Sequence, residues 1–488
     1  MFLYNKKNVF YLFIFSLSIS WLFLILLNNI NSPNVFFGQV ESEQTLNYLP
    51  CCGIRTSFYS YFTIFLAKFS NTLFLTRYTQ LFFLVFSISF LSLEFYNLTK
   101  NKFFSILLFL SIILNIKFMK LGNLIYEDAL YLPILVLILA LLVKLINKFS
   151  LKTLGLLSLS GGALASIKLS GITIFAIFIL LLIFIYNKRN FFLILGVTCI
   201  PFFLVIFLEN YLYLANEEKR SRATILAISG KLPIISFNEN PSSKYPQIYN
   251  YLKNKGEHLR EVVSKQSNFS NKLYAQHVLV TAYQDFGLRN DWKDLEEYLE
   301  LFNGHLGENQ TLYDRQKLLE DIFLDSLKVN KLKLVQSTFD AYLGFWTLSE
   351  VLTQKSLNKL YLFVSNDFFK TLDPYIQKTF LYNINIAKTH APISIPSKLI
   401  CFVLNLVSLI LFCISFFKIF IKKNKHKFYL IGLITSLYTH LYYVSISLVN
   451  VSFVRYFLTM WPLLMISLFL FFSIIYLNTN HKINIVRK

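Results

Sequence analysis

Long apolar runs recur along this 488-residue chain, and they constrain its fold more than any other feature. A run of about 18 to 25 apolar residues is long enough to cross roughly 30 Å of hydrocarbon as one helix. Hydrophobic residues make up 55% of the chain and charged residues only 15%, which is more apolar surface than a soluble core could bury. The sequence therefore predicts an all-α polytopic membrane protein with about ten transmembrane helices. The predicted spans lie near residues 9–28, 73–96, 103–119, 126–146, 153–168, 170–187, 190–208, 397–420, 428–449 and 456–477.

The net charge of +21 comes from short basic clusters between these runs. With the N-terminus in the cytoplasm, every dense cluster falls in an inner loop, as the positive-inside rule requires. This placement accounts for the charge without nucleic acid, and we expect no nucleic-acid partner. The clusters contain Lys6, Lys7, Lys100, Lys102, Lys144, Lys148, Lys152, Lys188, Arg189, Lys418, Lys422, Lys423, Lys425, Lys427, Lys482, Arg487 and Lys488.

Residues 209–395 have a different composition. They hold 21 acidic residues and 22 Lys plus Arg, with periodic polar and apolar stretches and turn signals. Leu, Phe and Tyr are too frequent for a disordered loop. We expect a large, mostly helical extracytoplasmic domain inserted between spans seven and eight. It would separate an N-terminal membrane module of about seven spans with catalytic outer loops (1–208) from a C-terminal module of about three spans (396–488).

Acidic residues are scarce in the two membrane modules. Of the 26 in the chain, 21 lie in 209–395, and Glu94 is near the inner face in this topology. The remaining four form two pairs on the outer side. Glu41 and Glu43 are in the first outer loop, and Glu127 and Asp128 are at the outer mouth of span four. Because ionisable groups at membrane depth are costly and usually face a polar cavity, the two pairs are a candidate active site.

Basic residues are equally rare on the outer side. The candidates are Arg55 after the first outer loop, Lys120 beside the second, Lys168 between spans five and six, and Arg455 at the start of the last span. Cations beside carboxylates suit a substrate that carries a phosphate on a lipid. The structural alternative is that the cations reach toward lipid head groups and that Glu41 and Glu43 belong to a solvated loop.

The histidines and cysteines do not indicate a metal site. The seven His lack ligand spacing, and the five Cys show neither a disulfide framework nor a metal motif. His440 lies within span nine, where a hydrogen bond between helices is the expected role. We therefore predict no cofactor, and the use of a divalent metal stays open because no sequence motif marks a site for one.

Four short motifs, in this order and on this side of the membrane, resemble the GT-C glycosyltransferases that use polyprenyl-phosphate sugars. This superfamily includes protein mannosyltransferases and aminoarabinose transferases. The resemblance covers roughly residues 1–210 and 396–480. Two features depart from the family: the first-loop motif has two Glu and no Asp, and the large domain interrupts the spans. The motifs are Glu41-Ser-Glu43, the Glu127-Asp128 pair before a Leu-rich helix, Gly161-Gly-Ala-Leu-Ala-Ser-Ile-Lys168, and Arg455-Tyr-Phe-Leu at the last span.

The resemblance implies a specific reaction. A sugar on undecaprenyl phosphate or a related carrier would pass to an extracytoplasmic lipid, glycan or protein acceptor, with inversion and without a metal or redox cofactor. Glu41 or Glu43 would act as general base. Lys168 and Arg455 would stabilise the leaving phosphate, and Glu127 and Asp128 would hold sugar hydroxyls or orient the base. We expect the protein to be a multi-pass protein of the plasma membrane.

Other functions remain open. An O-antigen ligase or polymerase would also have many spans and a large outer loop, but it would not require Glu41-Ser-Glu43. A transporter or flippase would usually show internal repeats and compact loops, and the two halves of this chain show no repeat. A receptor-like anchor would not need two acidic pairs on one surface.

Overall fold

The computed structural model describes residues 10–11, 14–15, 17–19, 58–69, 74–122, 127–185, 191–214, 231, 246–247, 249–250, 253–254, 257, 261, 312–347, 398–424, 426–449 and 454–486. Within these ranges all regular structure is helical. The helices are α1 Phe58–Ala67, α2 Phe74–Thr99, α3 Lys102–Ile113, α4 Ile116–Leu121, α5 Glu127–Asn147, α6 Leu151–Ile167, α7 Ile174–Ile185, α8 Phe191–Leu214, α9 Leu312–Thr347, α10 Lys398–Phe416, α11 Lys427–Val449, α12 Val454–Thr459 and α13 Trp461–Val486. A 3₁₀ segment, Leu169–Thr173, joins α6 to α7, and a π-helical turn, Phe417–Ile421, follows α10.

Five helices in the described part of the chain are long and apolar enough to cross a membrane. They are Leu75–Thr99, Glu127–Asn147, Phe191–Tyr211, Leu399–Ile421 and Lys427–Val449. Four further apolar helices, at Lys102–Ile113, Leu151–Ile167, Ser170–Leu182 and Trp461–Tyr476, are shorter. The class of all-helical membrane protein is therefore supported, and the number of about ten spans stays a prediction. Most of the first predicted span, 9–28, lies outside the described residues.

The predicted third span, 103–119, is two helices. α3 ends at Ile113, and the Asn115 side chain accepts a hydrogen bond from the Phe118 backbone N–H at 3.1 Å, which caps the start of α4. Glycines, in contrast, do not interrupt α6. Gly161 and Gly162 lie inside the continuous helix, where the absence of a side chain lets α6 approach α8. A Cβ atom on Gly162 would lie 2.6 Å from the Phe202 carbonyl oxygen.

The helices form two groups that meet along α11 and where α3 packs on α13. In the N-terminal group, α2 packs on α5, α5 on α6, and α6 on α8. In the C-terminal group, α10, α11 and α13 pack on one another, and α9 packs on α10 and α11. α11 also contacts α5, α7 and the 3₁₀ segment. α5 is apolar on all sides and almost wholly buried, whereas α8 exposes a broad apolar face that includes Phe192, Ile200 and Phe207. Apolar residues on an outward face are what lipid contact requires.

Three basic clusters meet at one end of this bundle. Lys427, at the start of α11, donates a 2.7 Å hydrogen bond to the carbonyl of Asn147, at the end of α5. Lys100 and Lys102 line a cleft with Phe428 and Tyr476. Glu127 and Asp128 occupy the opposite end of α5, about 29 Å from Asn147 at 1.5 Å per residue. The basic and acidic sequence motifs are thus separated by about one hydrocarbon thickness.

Candidate functional site

The first turn of α5 holds two buried carboxylates. Glu127 and Asp128 are the first two residues of the helix, and both side chains are buried. The positive end of the helix dipole favours negative charge in this turn. Burial removes hydration from both groups, so they need compensating charge from neighbouring elements.

Lys168 lies where α6 ends. Its backbone is extended, with φ −153° and ψ 133°, so the helix stops at Ile167 and the chain turns into the 3₁₀ segment. The Gly171 backbone N–H donates to the Lys168 carbonyl at 2.7 Å and closes the turn. A Cβ atom on Gly171 would overlap the Leu164 carbonyl, so only glycine fits there. The turn positions Lys168 beside the start of α5.

Lys168 and Asp128 form an ion pair between these two elements. The Lys168 Nζ lies 2.5 Å from the Asp128 Oδ1, and the two side chains are 16% and 3% exposed. The sequence motif at the start of span four and the motif between spans five and six are therefore one site. In such a dry pair each charge compensates for the other's lost hydration, so removal of either partner is strongly destabilising.

Tyrosine rings surround the ammonium group. The Lys168 Nζ lies 5.0 Å from the centroid of the Tyr456 ring and 5.9 Å from that of the Tyr131 ring. The Tyr131 and Tyr438 hydroxyls are 3.3 Å apart, which ties α5 to α11 at this level. These are cation–π distances, and they place rings from α5 and α12 beside the ion pair. None of these tyrosines is among the site residues predicted from the sequence.

Two of the three tyrosines had a sequence signal. Tyr131 follows Asp128 by three residues, which puts both side chains on one face of α5. Tyr456 directly follows Arg455, the basic residue of the fourth motif. Tyr438 lies in α11 about 300 residues from its partner, and no local pattern marks it.

The remaining predicted site residues are placed only in part. Lys120 lies on α4 and Arg455 on α12, and these two short helices contact each other, but neither side chain is described. Glu41, Glu43 and Arg55 lie outside the described residues. The proposed general base therefore stays a prediction.

The described part of the site contains a carboxylate and a primary ammonium group, both largely shielded from water. An ammonium group has three donors, so Lys168 can bind a phosphate oxygen while it keeps its bond to Asp128. A carboxylate can accept hydrogen bonds from sugar hydroxyls. Within the described ranges, no three His, Cys, Asp or Glu side chains are grouped to hold a metal ion.

Comparison with known proteins adds no assignment to this geometry. No protein-family model, no curated protein and no solved structure matches the chain.

Proposed function

We propose that this protein is an integral membrane glycosyltransferase of the GT-C type, which moves a sugar from a polyprenyl-phosphate carrier to an extracytoplasmic lipid, glycan or protein acceptor. The observation that carries the proposal is the buried Lys168–Asp128 ion pair at the acidic end of α5. It brings together two of the four motifs, and Tyr456 from a third motif lies against the same ammonium group.

The chemistry is a single displacement at the anomeric carbon. The acceptor oxygen forms a bond to that carbon as the bond to the phosphate oxygen breaks, so the configuration inverts. Glu41 or Glu43 takes the acceptor proton. Lys168 and Arg455 stabilise the charge that develops on the departing polyprenyl phosphate. Arg55 and Lys120 add positive charge for the phosphate, and Glu127 and Asp128 hold the sugar.

The carboxylate pair and Lys168 have separate tasks in this scheme. Asp128 accepts from Lys168 through Oδ1 and thereby orients the ammonium group. Tyr131 and Tyr456 restrict the approach of the phosphate, because their ring centroids lie 5.9 Å and 5.0 Å from the Lys168 ammonium group. When the donor phosphate binds, it would exchange water for these fixed polar groups. Such a water-excluded site stabilises the charge of the transition state most strongly.

The test is transfer of a labelled sugar from synthetic polyprenyl-phosphate donors in membranes that carry the protein. We expect transfer by the wild type. The Glu41→Gln, Glu43→Gln double variant should lose about 100-fold to 10,000-fold in rate, as is typical when a positioned general base is removed. Glu94→Gln is the matched control, because Glu94 is a buried carboxylate of α2 outside the proposed site. Full activity of the double variant would refute the assignment of the base.

The identity of the donor separates this proposal from its main rival. Transfer only from diphosphate-linked donors would favour the O-antigen ligase or polymerase class. A reporter fused at Asn309 tests the orientation, since 209–395 should lie outside the plasma membrane. A cytoplasmic signal from that fusion would overturn both the topology and the site.

A further inference from the structure

α9 is the one long helix described between α8 and α10, and it changes character at Asn330. This residue has non-helical dihedral angles, φ −128° and ψ 38°, so the helix is kinked there. Seven of the first seventeen residues after Leu312 are acidic or basic, whereas Asp340 is the single charged residue between Lys333 and Thr347. We call residues 331–347 the α9 end segment.

α9 packs on α10 and α11, which are both long and apolar enough to cross a membrane. The α9 end segment makes its contacts with α11 through two aromatic residues. The Tyr342 hydroxyl lies 2.9 Å from His440 Nδ1, and the Phe345 ring stacks on Tyr443 with centroids 4.3 Å apart and an interplanar angle of 9°. Both partners belong to α11. His440 therefore forms a hydrogen bond between helices, as expected from its position within an apolar span.

The depth of the segment follows from these contacts. The Lys231 Nζ donates to Ser337 Oγ at 3.3 Å and to the Ser447 carbonyl at 2.6 Å, so Ser337 lies level with the last turn of α11. From there the segment runs antiparallel to α11 and reaches His440. The ten steps from Ser337 to Thr347 rise about 15 Å, which is half of a hydrocarbon core of roughly 30 Å.

The end of the segment has a partner within the bundle. The last carbonyls of a helix have no acceptor role inside that helix, and in a membrane they are tolerated only where protein satisfies them. The buried Asn405 of α10 donates through Nδ2 to the Phe345 carbonyl at 3.0 Å. Asp340 lies near the buried Lys231, so the segment's charge is turned toward the bundle.

The opposite face of the segment is apolar and uncovered. Leu332, Val335 and Phe339 follow one another at helical spacing and are 83%, 64% and 56% exposed. The Trp346 ring contacts Phe402 of α10 at 5.9 Å, which joins the segment to the exposed apolar face of that span. This face of α10 includes Leu399, Phe402, Val403 and Leu406. A lipid-facing surface on α10 thus continues onto α9.

We propose that the α9 end segment is a half-membrane helix that enters one leaflet near Ser337, so that Phe339 lies against the lipid chains and Leu332 and Val335 lie at the head-group boundary. The exposed Lys331 and Lys333 then lie at head-group level, where long basic side chains extend toward phosphate. The extracytoplasmic domain is accordingly anchored in the bilayer by its own chain. This inference is independent of the transferase proposal.

Spin labels test the depth of each position. In a variant with Cys51, Cys52, Cys199, Cys401 and Cys413 replaced, single labels are placed at Leu332, Val335 and Phe339 and the protein is reconstituted in lipid nanodiscs. From Leu332 to Phe339, we expect the spin label to collide less often with a water-soluble nickel complex and more often with oxygen, which concentrates in the bilayer. Leu324 is the matched control, because it is exposed on the same helix before the kink, and its label should prefer the nickel complex.

Two outcomes would overturn the proposal. A Phe339 label that meets the nickel complex as readily as the Leu324 label places the segment in water. A label shielded from both probes shows that protein covers the face. A second measurement keeps the native cysteines: a photoreactive benzophenone side chain at Phe339 should cross-link radiolabelled phospholipid, and the same group at Leu324 should not.

Discussion

At the scale of single residues, the Lys168–Asp128 pair supplies charge where water is excluded, and the two groups depend on each other. Lys168→Met removes the ammonium group from a buried carboxylate, and Asp128→Leu does the converse. Each should lower the free energy of unfolding by about 3–5 kcal/mol, whereas the double variant should cost much less than the sum. Thermal unfolding in detergent measures this double-mutant cycle. Additive losses would show that the two groups do not stabilise each other.

Lys231 gives a pH-dependent prediction. Burial lowers its pKa from 10.5 to about 7, and the nearby Asp340 opposes that shift. Its other neighbours, Ser337 and Ser447, are neutral. Because the folded protein binds fewer protons than the unfolded chain between pH 7 and 10.5, stability should rise with pH across that window. Lys231→Met should remove the increase in stability that Lys231 contributes between pH 7 and 10.5. Melting temperatures measured from pH 6 to 10 check it, with exposed Lys333→Met as the control that keeps the wild-type slope.

At this scale the sequence was most informative where charge was scarce. Glu127, Asp128 and Lys168 stood out because charged residues are rare in apolar segments, and the structure brings two of them into contact. Tyr438 and Asn405 carry no such signal, because a single polar residue in an apolar helix becomes informative only when its distant partner is known. Lys231 looked like any loop lysine, since its burial arises from helices that lie more than 100 residues away.

At the scale of elements, Gly162 gives the tightest backbone contact between α6 and α8. Gly162→Ala would place a Cβ atom 2.6 Å from the Phe202 carbonyl and 3.0 Å from the Val205 Cβ, and backbone cannot yield as a flexible side chain can. We expect lower thermal stability and separation of the two helices. Gly155→Ala, on the same helix, meets Val197 at an ordinary 3.6 Å and should be neutral or stabilising by up to about 1 kcal/mol. Equal losses in both variants would contradict this account.

Hydropathy predicted the apolar helices better than their ends. Runs at 73–96, 126–146 and 428–449 correspond closely to α2, α5 and α11, because bilayer length sets both the run and the helix. The hydropathy of 103–119 did not predict the break between α3 and α4 at Asn115, since hydropathy averages over the residue that caps the second helix. The kink in α9 was likewise not predicted, because Asn330 is one polar residue among many.

At the scale of the molecule, the separation of charge along α5 predicts the sidedness of the whole chain. Cysteines placed at Lys148 and Lys422, both exposed and both near the Asn147–Lys427 contact, should react with a membrane-impermeant thiol reagent from the same side. A cysteine at Asn309 should react only from the other side. Labelling in intact cells and in inverted vesicles distinguishes the two. Reaction of Lys148→Cys and Asn309→Cys from one side would contradict the ten-span topology.

The packing of α9 also sets an order for biosynthesis. Tyr342 and Phe345 find their partners in α11, and His440 follows Tyr342 by 98 positions in the sequence. At a translation rate of about 5–20 residues per second, the ribosome needs roughly 5–20 s to produce α11 after it has made α9. During that interval several aromatic side chains lack the surface that will bury them. Nascent chains stalled between these helices should therefore be the species that quality-control proteases recognise first.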